Sequence, residues 1–523
     1  MRKELPRVRA RRSIFKVVKY PLLGAVLICY LNVLPEIAAA QHFGITDRTE
    51  TREWAPPAIQ HAQQMRKYKD SDRGSQPTPN IISRFSTDED PSGRIATFQP
   101  GGTTFTADNA FFQDLGTNGR TCFTCHQPQN GWTISASDAH YRFEDSGGAD
   151  PLFRLVDGAT CPTDDVSTIG AKRKAYKLLI NRALIRIGLP LPPAPNLQFE
   201  VAHVDDPYNC TTNPSTGLTS PTSGIVSIYR RPLPSTNLRF LTTIMWDGRE
   251  PTLENQADDA TLIHAQANTV PTSDQQGQMV IFENGIFTSQ ILDEEACDLD
   301  DCDGTGGPLA LARQFLKFFV GINDPVGNNP TNTPFDANIF NLYTPWLSLQ
   351  GKDEEARHRR SVARGEEVFN TTKINITGVA GLNDDLHQPT IAGFCGTCHD
   401  TPDVGNHSVK APLNIGVADA GANSPPALDI SGLPVFTLHC TSGPLAGKMF
   451  VVTDPGRALI SGNCADIGKV KGPILRGLAA RAPYFHNGSA ATLPDVVNFY
   501  DQRFGIGFTQ QQKDDLVNFL KTL

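Results

Sequence analysis

The chain lacks an apolar run long enough to cross a bilayer comfortably. Pro21 to Leu34 is too short, since a spanning helix needs about 20 apolar residues, and Pro35 and Glu36 end it. It also lacks a basic excess: 47 Lys and Arg against 55 Asp and Glu leave a net charge of −8. That disfavours nucleic acid and anionic membrane surfaces as partners. No short tandem repeat is present, and the acidic loop 298–303 (DLDDCD) lacks the spacing of an EF-hand.

What is present begins with a leader. Arg2, Lys3, Arg7, Arg9, Arg11, Arg12, Lys16 and Lys19 precede the apolar run, and Ala38-Ala39-Ala40 offer a small-residue cleavage site before Gln41. This order reads as a cleavable secretory signal over 1–40, hence an exported, periplasmic protein with no stable span in its mature form. An uncleaved anchor is the alternative. Arg11-Arg12 resembles a twin-arginine signal, the alternative being the export route for unfolded chains. Removing a leader with eight basic and two acidic residues takes the net charge to −14.

The 523 residues, 39% hydrophobic and 20% charged, suit two or three soluble domains. Residues 41–95 read as a polar lead-in. Helical stretches are expected at Ala107 to Leu115, around Lys172–Ile187, over 308–320 and from Ser361 to Phe369. Thr492 with Asp495 and Thr509 with Gln512 sit at capping-box spacing ahead of two final helices. In the first of these, Leu493, Val496, Val497 and Tyr500 share one face. The expected fold is mainly α in two domains, 96–335 with an insertion at 140–225, and 336–523, with long loops.

Eleven cysteines are present, and Cys29 leaves with the leader. Four lie in Cys122-Phe123-Thr124-Cys125-His126 and Cys395-Gly396-Thr397-Cys398-His399. CxxCH is specific for covalent haem attachment: two thiols bond the vinyl groups and the histidine ligates iron. A redox CxxC needs no trailing histidine, and zinc needs further ligands nearby. Two covalently bound haem c groups are therefore expected, with His126 and His399 on iron, one in each of two cytochrome c-like haem domains; such haem is attached after export, which favours the route for unfolded chains. The remaining six cysteines allow fifteen pairings. Their order suggests Cys161–Cys210, Cys297–Cys302 and Cys440–Cys464.

A second strong axial ligand favours electron transfer, and an open position permits chemistry. Tyr500 and Met449 are both candidates for the second iron. Tyrosine would lower the potential and methionine raise it, while a core tyrosine bonded to a neighbour is the plain alternative.

The stretches 240–257 (FLTTIMWDGREPTLENQA) and 471–500 (KGPILRGLAARAPYFHNGSAATLPDVVNFY), with the two haem motifs, resemble the bacterial di-haem cytochrome c peroxidases and MauG, over perhaps 180 residues. The resemblance implies that the haem at His126 meets hydrogen peroxide and the haem at His399 relays electrons. These would come from a small donor, a cytochrome c or copper protein. It puts the inter-haem tryptophan on Trp246, also readable as a packed core indole, and the distal glutamine on Gln256. MauG, like this chain at Tyr500, has tyrosine where the peroxidases place methionine. The chain departs from the pattern where the distal glutamate falls on Gln266, since an amide cannot shuttle a proton. His264 could replace it, ligate the first haem, or be an ordinary histidine. The family's loop proline is Ala260. A calcium ion between the domains is implied too, but Arg230-Arg231-Pro232 offers no matching asparagine. His486 and Arg476 match positions near the haems, and His140 is a candidate cap on the first.

The expected activity is peroxide reduction. A non-enzymatic electron carrier, and an oxidase or oxygenase acting on a protein or organic substrate, are the alternatives. The insertion 140–225 could build a substrate pocket or merely pad the fold.

Overall fold

Thr492 and Thr509 each open a helix as their spacing implies. Their hydroxyls accept from the backbone N–H of Asp495 and Gln512, whose side chains return a bond to the cap's own N–H. The helices Leu493–Phe504 and Gln510–Lys521 follow. Leu516, Phe519 and Leu520 of the second are buried with Val362, Phe369 and Phe340. The helix Glu354–Thr371 begins earlier than its apolar pattern alone indicates, because Asp353 caps it.

Close approach of these helices depends on Gly365. A Cβ there would lie 2.0 Å from the Asp515 carbonyl oxygen. Alanine gains about 1 kcal/mol of helix propensity, but overpacking against unyielding backbone costs about 1–3 kcal/mol. Gly365→Ala is therefore expected to destabilise the protein by about 1–2 kcal/mol, seen as a lower denaturation midpoint.

The computed structural model describes residues 78–210 and 224–523, all within one compact unit. The leader and the lead-in up to residue 77 lie outside the described residues. Those described carry ten α-helices and thirteen strands, so the fold is mixed rather than mainly α. No helix among them is long and apolar enough to cross a membrane.

The strands arise where the reading expected loop or helix. Residues 85–98 are a hairpin, not part of a loose lead-in. Phe85–Asp90 and Gly93–Phe98 pair around a turn in which Asp90 Oδ1 accepts from the Ser92 N–H at 2.7 Å. Gly93–Phe98 also pairs with Phe287–Asp293, which pairs with Cys297–Asp298. Ala107 to Leu115 forms short 3₁₀ turns. The helix expected around Lys172–Ile187 ends at Arg182, and Ile185–Pro190 becomes a strand against Ile225–Arg230. That over 308–320 stops at Gln314.

The insertion is built into the core. Its strand Phe199–Asp205 pairs antiparallel with Val435–Cys440, and Phe199, Val201, Phe436 and Leu438 are buried in one cluster. Disulfides join Cys161–Cys210 and Cys440–Cys464, whereas the expected Cys297–Cys302 bridge is not formed, and Arg359 Nη1 lies 3.1 Å from Cys302 Sγ.

Candidate haem-binding cavities

The two CxxCH motifs fold alike. In each, the central threonine hydroxyl accepts from the backbone N–H preceding the first cysteine: Thr121 to Thr124 at 3.0 Å, and Phe394 to Thr397 at 2.9 Å. Each motif makes one 3₁₀ turn, closed by a histidine N–H bonded to the first cysteine's carbonyl. His126 Nδ1 lies 2.8 Å from the carbonyl of Trp132, and His399 Nδ1 lies 2.7 Å from that of Gly405. A carbonyl only accepts, so each Nδ1 bears the proton and each Nε2 keeps its lone pair for a metal. Burial holds both imidazoles below their ordinary pKa, His126 down to about 4. The first carbonyl is fixed by the N-terminal sheet, because Trp132 Nε1 donates to Thr97 Oγ1 at 2.9 Å.

Each motif opens on a cavity, of about 150 Å³ for the first and 200 Å³ for the second. Cys122, Cys125 and His126 line the first; Cys395, Cys398 and His399 line the second. None of the four thiols is in a disulfide, and burial raises the pKa of all four, to about 12 for Cys395 and Cys398. Neutral buried thiols beside a lone-pair nitrogen in an apolar cavity fit haem c.

The first cavity also receives one face of the helix Leu253–Ile263 and its C-cap. Gln256, Ala260 and His264, spaced by four, all line it. His264 Nδ1 is 2.6 Å from Asp157 Oδ2, and Arg120 donates to the other oxygen at 2.6 Å. Burial alone would raise the Asp157 pKa; Arg120 and His264 hold it down at about 2. Sequence reading missed Asp157, which lies 107 residues from its partner. It also missed the buried Glu283, which lines the same cavity and is pushed up to about 7 by burial.

Gln266 is not among the lining residues. It is exposed, with a backbone φ of 55°, and accepts from Asn118 Nδ2 at 3.2 Å. The Asn118 amide also donates to the His264 carbonyl at 2.8 Å. Gly116 permits this clasp: a Cβ there would lie 1.8 Å from the Ala265 carbonyl oxygen. His140 sits away from the cavity, half exposed, 3.8 Å from Glu144.

The second cavity is lined by Tyr500, together with Val496, Val497 and Leu493 of its helix. No hydrogen bond of the Tyr500 hydroxyl occurs among the described residues, and burial raises its pKa. Met449, the rival ligand, is 52% exposed on the strand Met449–Val452 and does not line the cavity.

Trp246 lines both cavities. Its Nε1 donates to the Arg231 carbonyl at 2.8 Å, and its ring centroid lies 6.0 Å from that of His486. Beside it, fully buried Arg230 bridges Asp247 and Asp454, with Nε 2.6 Å from Asp454. Burial opposes ionisation of Asp454, but Arg230 prevails and holds it at about 2. A carboxyl depressed from about 3.9 stabilises the fold above that value and loses its contribution as pH falls towards 2. Acid unfolding should therefore show a loss between about pH 4 and 2. Arg230→Leu, which leaves buried Asp454 without its guanidinium and Asp247 with Arg249 alone, should cost about 3–5 kcal/mol and move the acid transition upward.

Two cavities, each lined by a CxxCH motif, suit covalently bound haem. No family model matches the chain. It is 27% identical over 307 residues to the cytochrome-c peroxidase IdrP2 of Denitromonas iodatirespirans, covering 57% of this chain and 69% of that protein. It is 29% identical over 254 residues to the cytochrome c551 peroxidase of Nitrosomonas europaea, covering 46% of this chain and 64% of that one, just under two thirds of its length. A solved MauG-like protein associated with microbial copper homeostasis shares 15% identity at a TM-score of 0.31, over 80% of this chain and 87% of that one. The chain resembles the bacterial cytochrome c peroxidases and is a peroxidase-like oxidoreductase.

Proposed function

We propose that the protein is a periplasmic di-haem peroxidase that reduces hydrogen peroxide to water with electrons from a small cytochrome c or copper protein. The observation that carries this reading is Trp246, one indole in the walls of two cavities that each hold a CxxCH motif. Cys122, Cys125 and His126 would hold the peroxidatic haem, and Cys395, Cys398, His399 and Tyr500 the relay haem. When bound, haem supplies iron that exchanges single electrons, which cleavage of a peroxide O–O bond consumes in pairs.

The remaining work falls to the polypeptide. Peroxide takes up two electrons and two protons to give two waters. Gln256 offers an amide to orient the substrate. His264, held by Asp157, supplies the proton-transfer group that an amide at 266 cannot. Trp246 offers an aromatic path between the cavities. The basic, apolar leader of the sequence supports export, and the acidic mature surface suits a basic or neutral donor.

Mass analysis of protein made in a host competent for haem attachment tests the reading first, with two porphyrins expected. Turnover of peroxide with a reduced donor protein, and electron paramagnetic resonance showing one high-spin iron, should follow. Two six-coordinate irons that bind no carbon monoxide in any oxidation state would leave only an electron carrier.

Tyr500 favours a second reading. With its hydroxyl in the cavity wall and unclaimed by a neighbour, it is available as a ligand that lowers the relay haem's potential. Such a centre could store oxidising equivalents for use on a protein substrate. Tyr500→Met is expected to raise the potential of the second haem alone, measured by spectroelectrochemical titration. An unchanged potential would reject the ligand assignment.

A further inference from the structure

Lys471 is 6% exposed, yet no carboxylate among the described residues lies within ion-pair distance of it. Its Nζ donates to the Thr243 carbonyl at 3.0 Å, and its own N–H donates to the Trp246 carbonyl at 2.9 Å. It lines both large cavities. Arg231 meets the same tryptophan at its indole N–H, which the Arg231 carbonyl accepts. Its guanidinium is buried, donates through Nη2 to the Ile134 carbonyl at 2.6 Å, and leaves Nη1 unpartnered. Arg231 lines the first cavity but not the second.

Buried charges are ordinarily paired, because leaving water is costly and only an opposite charge nearby offsets it. The chain meets that rule at Arg230, with two carboxylates, and departs from it at both residues flanking Trp246. Burial correspondingly pushes Lys471 down to about 7 and Arg231 down to about 9 when the polypeptide alone surrounds them. The missing anions must come from whatever fills the cavities, and haem brings two carboxylates of its own.

We propose that Lys471 and Arg231 are the counter-cations of the haem propionates: Arg231 serves the first haem only, and Lys471 serves both and ties them electrostatically across Trp246. This rests on the two-haem reading above. A fixed positive charge disfavours the oxidised iron, so it raises the potential of each haem it faces. Because Lys471 faces two, it sets them together rather than separately.

The test uses the full holoprotein. Intact mass first counts porphyrins, and fewer than two on the unmodified chain would sink the two-haem reading rather than this one. With two bound, Lys471→Met and Lys471→Gln are expected to lower both midpoint potentials, Lys471→Arg to leave both near the parent values, and Arg231→Met to lower the first alone. Unmoved potentials in the neutral Lys471 variants, or a shift at one haem only, overturn the shared assignment. A shift of both by Arg231→Met overturns its restriction to the first. If no neutral variant yields holoprotein, the propionate bending bands in the resonance Raman spectrum of the unmodified protein decide. Bands displaced as in salt-bridged propionates support the pairing, and bands of free, solvated propionates overturn it.

Discussion

Protein carrying Cys122→Ser, Cys125→Ser and His126→Gly is expected to retain one covalent haem instead of two and to lose peroxide turnover down to the assay background. The equivalent changes at Cys395, Cys398 and His399 should also remove one haem. They should leave the first iron able to bind an exogenous ligand while starving it of electrons from the donor. The two triple variants are therefore distinguishable: the first loses reactivity towards peroxide outright, and the second loses sustained turnover. Intact mass, the reduced-minus-oxidised spectrum and steady-state rates read the three consequences separately. Equal peroxide activity in both variants would reject the division of labour between the cavities.

The second large effect concerns proton transfer. His264→Ala should lower the rate constant for the reaction with peroxide by about 10²–10⁴-fold, the usual contribution of a general acid–base group. Haem content should not change, since His264 holds no thioether or proximal bond. Asp157 touches the imidazole rather than the substrate and acts as a positioning residue. Asp157→Asn should cost less activity than His264→Ala, and Asp157→Glu should restore part of the loss. Removing the anion also leaves Arg120 buried without its partner at 2.6 Å, so Asp157→Asn should be less stable as well. A His264→Ala variant with the parent rate would leave peroxide reduction without an acid–base group from this helix.

How far these sites were legible depended on whether their signals were local. The CxxCH motifs, the two capping boxes and the inward face carrying Tyr500 are written within a few residues, and the structure realises each of them. Gln256 and His264 were named through the resemblance, and the helix Leu253–Ile263 with its C-cap brings both to the first cavity. Asp157, Arg231 and Lys471 were not legible, because each meets its site through long-range folding and carries no pattern of its own. Gln266 lies outside the cavity lining: the helix ends at Ile263, and Asn118 bonds the chain that follows. The strands were missed because short, partly exposed segments such as Phe85–Asp90 alternate too briefly to stand out from loop. The helix around Lys172–Ile187 was overextended, since Ile185 and Ile187 continue an apolar pattern while their backbone pairs with Ile225–Arg230.

The pairing of Phe199–Asp205 with Val435–Cys440 has a temporal consequence. Synthesis from the N-terminus delivers the first CxxCH motif long before Val435 or Lys471 arrives. The strand partner of Phe199–Asp205 is then still missing, and the loop to be closed exceeds two hundred residues. On the two-haem reading, Cys122 and Cys125 would therefore meet their haem before this sheet has closed. Val435–Cys440, made late, completes it.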